Sequence, residues 1–178
     1  MRPDPTVLVT LCTGNAARSV MAAYMLDHWA GELGVALDVV SAGTHVVEGQ
    51  PMGMRTRAAL ASIPELEAIA VSGHRSKQLR EDQLDVADLI VAMEADHVRF
   101  VRRHHPAAAK RTATLRRLCL DLLPGESALL DRVDALGLAD RPLDPAEDVA
   151  DPAGGDVDVY VACAHELWLL TEQLARAL

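Results

Sequence analysis

Thr6-Val7-Leu8-Val9-Thr10-Leu11-Cys12-Thr13-Gly14-Asn15-Ala16-Ala17-Arg18-Ser19 is the stretch on which the fold of this chain turns. Its first six residues are apolar and rich in β-branched side chains, and Pro3 and Pro5 mark where they begin. They read as a strand buried on both faces of a parallel sheet. From Ser19 to about Leu33, the residues Val20, Met21, Tyr24, Met25, His28 and Trp29 recur at helical spacing, and Gly34 supplies a stop. Cys12 to Arg18 therefore forms a loop from the carboxyl end of a strand to the amino end of a helix. Unpaired backbone N–H groups and the positive end of the helix dipole favour an anion there. Gly14 lets the backbone approach closely, and Asn15 tolerates a left-handed conformation.

The residue types at the two ends of this loop add chemistry to it. The field that favours an anion also favours the thiolate of Cys12, the nucleophilic form. Arg18 brings a planar fork that pairs two phosphoryl oxygens at once, which a lysine does less well. Thr13, Gly14, Asn15, Ala16 and Ala17, together with Arg18, are the expected phosphate-binding residues.

Outward from the loop, strand and helix patterns alternate. Leu37–Ser41 and Leu89–Met93 read as strands, and Thr112–Leu118 is a weaker fourth candidate. Helical patterns cover about Met52–Leu60, Ala95–His104, Leu129–Gly137 and Val157–Leu178, in addition to Ser19–Leu33. Alternation of this kind predicts an α/β three-layer sandwich: a central parallel sheet of about four strands, helices on both faces, and a site at the carboxyl ends of the strands. The 178 residues fit one domain, 1–178. The segment Gly125–Glu147 either adds a helix and loop beside the pocket or covers the sheet edge. Asp140 to Asp158, rich in Asp, Pro and Gly, reads as a mobile acidic loop.

A formal net charge of −9 argues against a nucleic-acid partner. Without a long apolar run or a signal-peptide pattern, no membrane association is expected and the cytoplasm is the default. Cys12, Cys119 and Cys163 lack the spacing of a metal site or a C-x-x-C pair, and neither a metal nor a cofactor is expected. Trp29 and Trp168 read as core.

Cys12-Thr13-Gly14-Asn15-Ala16-Ala17-Arg18-Ser19 resembles the C-x-G-N-x-x-R-S loop of the low-molecular-weight protein-tyrosine-phosphatase family. Further segments fit that family in order: Ser41-Ala42-Gly43-Thr44, His74-Arg75-Ser76-Lys77-Gln78-Leu79, Asp88-Leu89-Ile90-Val91-Ala92-Met93, and Asp151-Pro152 before a last helix containing Tyr160. The resemblance implies hydrolysis of phosphotyrosine, or a related aryl phosphate, through a cysteinyl-phosphate intermediate. It implies Cys12 as nucleophile, Arg18 as phosphate clamp and Asp151 as the acid that protonates the leaving oxygen and then activates water. It also implies that Asn15, Ser19, Ser41 and His74 form the network that holds the loop. The expected substrate is a tyrosine-phosphorylated protein or a small phosphate ester, with a cognate tyrosine kinase as a further partner.

The chain departs from the family where specificity and redox protection are set. Ala17 stands where many relatives carry a second cysteine, and Ala153 follows Asp151-Pro152 where many carry an aromatic. His45 and Val46 occupy an often aromatic rim. Two other functions remain open: a thiol-dependent arsenate reductase on the same fold, and a non-catalytic phosphate-binding module. The first needs further cysteines to receive oxidising equivalents, and neither Ala17 nor the stretch from His74 through Asp96 supplies one.

Overall fold

A computed structural model describes residues 4–178, so Pro3, read as marking the start of the first strand, lies outside the described residues. Four parallel strands form the sheet: β1 (Thr6–Cys12), β2 (Leu37–Gly43), β3 (Leu89–Ala92) and β4 (Thr112–Thr114), in the order β2-β1-β3-β4. Successive side chains of a strand face opposite ways. Leu8 and Cys12 accordingly join the core on one face, and Val9 and Leu11 the core on the other. Leu89 and Val91 of β3 share the first face, Ile90 the second.

The first face is covered by α1 (Arg18–Leu33), α2 (Met54–Ala61), α5 (Leu115–Asp121) and α7 (Val157–Ala177), with α1, α2 and α5 all packed on α7. On the second face lie α3 (Glu81–Val86) and α4 (Ala95–His104), through Leu84 and Val101. Helix α6 (Leu129–Asp134) adds Val133 to the first core. The predicted α/β architecture, with a loop after the first strand, is the one observed. Trp29 and Trp168 are partly buried beside the first core, their rings 4.3 Å apart.

Two expectations change, and one of two open placements is decided. The run Thr112–Leu118 is a strand only to Thr114, whose side chain accepts the Arg117 N–H and caps α5. Leu115, Leu118 and Cys119 are buried at helical spacing, so the apolar run that reads as β is a helix. Gly125–Glu147 lies over the β4 edge rather than the loop. Leu138, Pro142 and Leu143 line a small cleft together with Thr112–Thr114 there, and Arg102 of α4 donates to the carbonyls of Leu138 and Arg141 at 2.7 Å. The acidic segment is fastened along Asp144–Val149. The Val149 N–H donates to the Met93 carbonyl at 2.8 Å, and Asp148 Oδ1 accepts the Ala95 N–H at 2.7 Å. Glu147 is buried, bound by Thr114 Oγ1 at 2.8 Å and paired with Arg117. Its carboxylate needs those partners to stay charged away from water.

Candidate active site

Cys12 ends β1, and the chain then turns through residues 13–17 into α1. Among the described residues no side chain caps α1, which leaves its leading N–H groups available to an anion in the loop. The end of β2 braces the turn from beside it. Thr44 and His45 N–H groups donate to the carbonyls of Cys12 and Thr13, both at 2.9 Å. Gly43 makes this approach possible, since a Cβ there would sit 2.5 Å from the Thr13 carbonyl oxygen and 2.9 Å from the Asn15 nitrogen.

Asn15 is the centre of the bracing. Its φ of 50° is left-handed, and it is fully buried. Its carbonyl accepts His74 Nε2–H at 3.0 Å and Ser76 Oγ–H at 2.9 Å, and its Oδ1 accepts the Lys77 N–H at 2.9 Å. Burial pushes the His74 pKa below its ordinary value, against the hydrogen bond to Asn15. Asn15 Nδ2 donates to Ser19 Oγ at 3.0 Å. That bond occupies an acceptor position of Ser19 and leaves its hydroxyl proton for Cys12 Sγ, 2.9 Å away. On the other side, Thr56 Oγ1 of α2 donates to the Ala16 carbonyl at 3.0 Å.

Arg18 is 2 % exposed, and its guanidinium is held on three sides. Nη1 donates to Glu94 Oε1 at 2.5 Å and to the Val149 carbonyl at 2.8 Å, while Nη2 lies 3.0 Å from Asp151 Oδ2. The Asp151 carboxylate is 45 % exposed, and its Oδ1 accepts the Ala153 N–H at 3.1 Å. One half-exposed carboxylate thus stands beside the buried Arg18 guanidinium. Glu94 also begins α4, where its N–H donates to His97 Nδ1 at 3.0 Å and His97 Nε2 reaches Thr13 Oγ1 at 2.9 Å. Burial, and then the charge of Arg18, push the His97 pKa down to about 4.

Of the residues expected from sequence, Cys12, Asn15, Arg18, Ser19, His74 and Asp151 converge. Ser41 does not join their hydrogen bonds among the described residues. It pairs in register with Thr10 and lines a cavity of about 370 Å³ between α1, β2 and residues 73–77. Sequence reasoning missed Glu94, His97, Val149 and Ser76. The Glu-x-x-His pattern directly after β3 is the one local signal for this group, since it marks a helix start whose two end residues bond each other. At the rim, Ala153 is exposed, and the His45 ring meets Phe100 of α4 edge-on at 5.6 Å. Cys119 and Cys163 are buried free thiols, pushed up to about 11 and about 12 by burial.

Comparison with known proteins agrees with this geometry. A curated protein-arginine-phosphatase of Geobacillus stearothermophilus is 29% identical over 174 residues, 98% of this chain and 97% of that one. The protein-arginine-phosphatase of Bacillus subtilis (strain 168) is 29% identical over 171 residues, 96% of this chain and 95% of that one. The crystal structure of a low molecular weight protein tyrosine phosphatase from T. tengcongensis superposes with a TM-score of 0.76 at 29% identity, covering 97% of this chain and 99% of that one. The family model described as low molecular weight phosphotyrosine protein phosphatase matches residues 7–131, and this chain belongs to that family of phosphatases.

Proposed function

We propose that this phosphatase removes phosphoryl groups from arginine side chains of proteins through a cysteinyl-phosphate intermediate, with the whole chain acting as one catalytic domain in the cytoplasm. Cys12 thiolate attacks phosphorus while Arg18 holds two of the equatorial oxygens, and the bond from phosphorus to the guanidino nitrogen breaks. Asp151 gives its proton to that departing nitrogen. It then takes a proton from the water that attacks the cysteinyl phosphate, which releases inorganic phosphate and restores the thiolate. Glu94 and the Val149 carbonyl keep the guanidinium aimed while this happens.

The observation that carries the choice of substrate is the open rim after the acid. Ala153, Gly154 and Gly155 follow Asp151-Pro152, so no ring is there to flank a phenyl group, while the half-exposed Asp151 carboxylate suits a leaving group that departs as a guanidinium. The two end-to-end relatives named for phosphoarginine support the same choice. Phosphotyrosine is the second reading, favoured by the family match and by the His45–Phe100 rings beside Thr13. Neither reading involves arsenate reduction, for which Cys119 and Cys163 are poorly suited as buried thiols.

Turnover of matched phosphoarginine and phosphotyrosine peptides tests this directly. The expected kcat/KM ratio favours phosphoarginine by at least about tenfold. A ratio reversed to the same extent assigns the site to phosphotyrosine. On either substrate, Cys12→Ser abolishes turnover, Arg18→Lys loses binding and rate, and Asp151→Asn loses mainly rate. Turnover retained by Cys12→Ser overturns the mechanism.

A further inference from the structure

The loop carries two hydroxyls, one on each side of its turn, and each receives an N–H bond from a neighbour. For Ser19 the donor is Asn15, and the hydroxyl proton is left for Cys12. For Thr13 the donor is a histidine 84 residues away on α4. The proton of that histidine can be placed. The Glu94 N–H donates to His97 Nδ1 at 3.0 Å, which requires a lone pair on Nδ1, so the neutral ring carries its hydrogen on Nε2. Nε2–H then points at Thr13 Oγ1, 2.9 Å away, and occupies an acceptor position of that oxygen. The Thr13 hydrogen is left to donate elsewhere.

Resting on the cysteinyl-phosphate reading above, we infer that His97 is a positioning residue that fixes the Thr13 hydroxyl as an O–H donor to the transferring phosphoryl group. Thr13 directly follows the nucleophile, and its side chain is exposed toward solvent while the ring behind it is buried. A protonated imidazole would oppose its Nδ1–H to the Glu94 N–H, so the arrangement exists only with a neutral ring. The groups facing the ring bear on that choice. Glu94 Oε2 lies 3.6 Å from Nε2, and Asp96, Asp148 and Asp151 also favour a charged ring, whereas Arg18 and burial oppose it and prevail. The ring is thus neutral across the neutral and mildly acid range. In the transition state charge spreads over three equatorial phosphoryl oxygens, and a fixed donor aimed at one of them acts more strongly there than on bound substrate.

The experiment compares wild type with His97→Phe, Thr13→Val, Thr13→Ser and the His97→Phe/Thr13→Val double variant, reading kcat, KM and inhibition by vanadate and by inorganic phosphate. Vanadate mimics the five-coordinate transition state, and phosphate the ground state. His97→Phe and Thr13→Val are each expected to lower kcat by about tenfold to a hundredfold with little change in KM, and to weaken vanadate more than phosphate. The double variant should be no worse than Thr13→Val alone, and Thr13→Ser should recover most of the lost rate. Should His97→Phe fail to fold, the Thr13→Val and Thr13→Ser pair decides whether the hydroxyl is used. Wild-type kcat and vanadate affinity in Thr13→Val overturn the inference, as do losses that multiply in the double variant. A catalytically inert Cys12→Ser alongside an unaffected Thr13→Val refutes this inference alone, whereas an active Cys12→Ser refutes the mechanism beneath it.

Discussion

Replacing His97 with glutamine should flatten the acid side of the protein's stability profile. In the unfolded chain the imidazole titrates near its ordinary value of 6.5, while in the folded protein burial and Arg18 hold it down at about 4. The folded-state value is the depressed one, so between these two values the unfolded chain binds a proton that the folded chain refuses. The contribution of neutral His97 is therefore complete above about pH 6.5, declines as pH falls, and is gone below about pH 4. At about 1.36 kcal/mol per tenfold change in proton affinity, the full loss is roughly 3 kcal/mol. Urea unfolding measured near about pH 7.5 and about pH 4.5 should show wild type losing more than His97→Gln by roughly 2–3 kcal/mol, on the order of 1 M in midpoint. His74, away from the substituted ring, is common to both proteins and drops out of the difference. Parallel pH profiles for the two would refute the buried neutral histidine.

Two further outcomes are expected. Gly43→Ala should cost about 1–3 kcal/mol in thermal or urea unfolding and weaken vanadate inhibition, because the new methyl group lands on the Thr13 carbonyl oxygen at 2.5 Å and the loop must shift. Unchanged stability and inhibition would mean the loop is not braced by β2. Brief iodoacetamide treatment of the folded protein should alkylate Cys12 alone, with phosphate protecting it. All three thiols are buried, but those of Cys119 and Cys163 are pushed up to about 11 and about 12 and stay protonated, and mass spectrometry finding either labelled at a rate like that of Cys12 would contradict this.

The segment from Thr6 to Gly34 was readable because every signal it needs is local. A β-branched apolar run, a small-residue turn, helical spacing and a terminal glycine all fall within a few residues of what they control. β4 was only half readable, since three residues carry too little pattern to outweigh the helix that Thr114 starts. The acid loop looked mobile because its composition is polar. What fastens it is distant: Met93 for Val149, Ala95 for Asp148, Thr114 and Arg117 for Glu147. Glu94 and His97 stayed hidden for the same reason, because their partners in the loop are 76 and 84 residues away. Ser41 shows the opposite limit. The resemblance placed it in the loop network, whereas its strand register turns it into the cavity beside α1.

The three-sided hold on Arg18 also bears on when activity arises during synthesis. Its partners lie at the start of α4 and on the segment before α7, where Val149 is 131 residues further along the chain and Asp151 lies just beyond it. A nascent chain can form α1 early, since helical contacts are local and form fast, and the β2 brace of the loop follows once residues 37–45 are made. Until Val149 docks on Met93, however, only Glu94 holds the guanidinium, and Asp151 is not yet beside it. The cysteine is therefore made first and armed last. On the proposed mechanism, a growing chain carries Cys12 long before it can turn over substrate, and competence waits for the docking of residues 147–151.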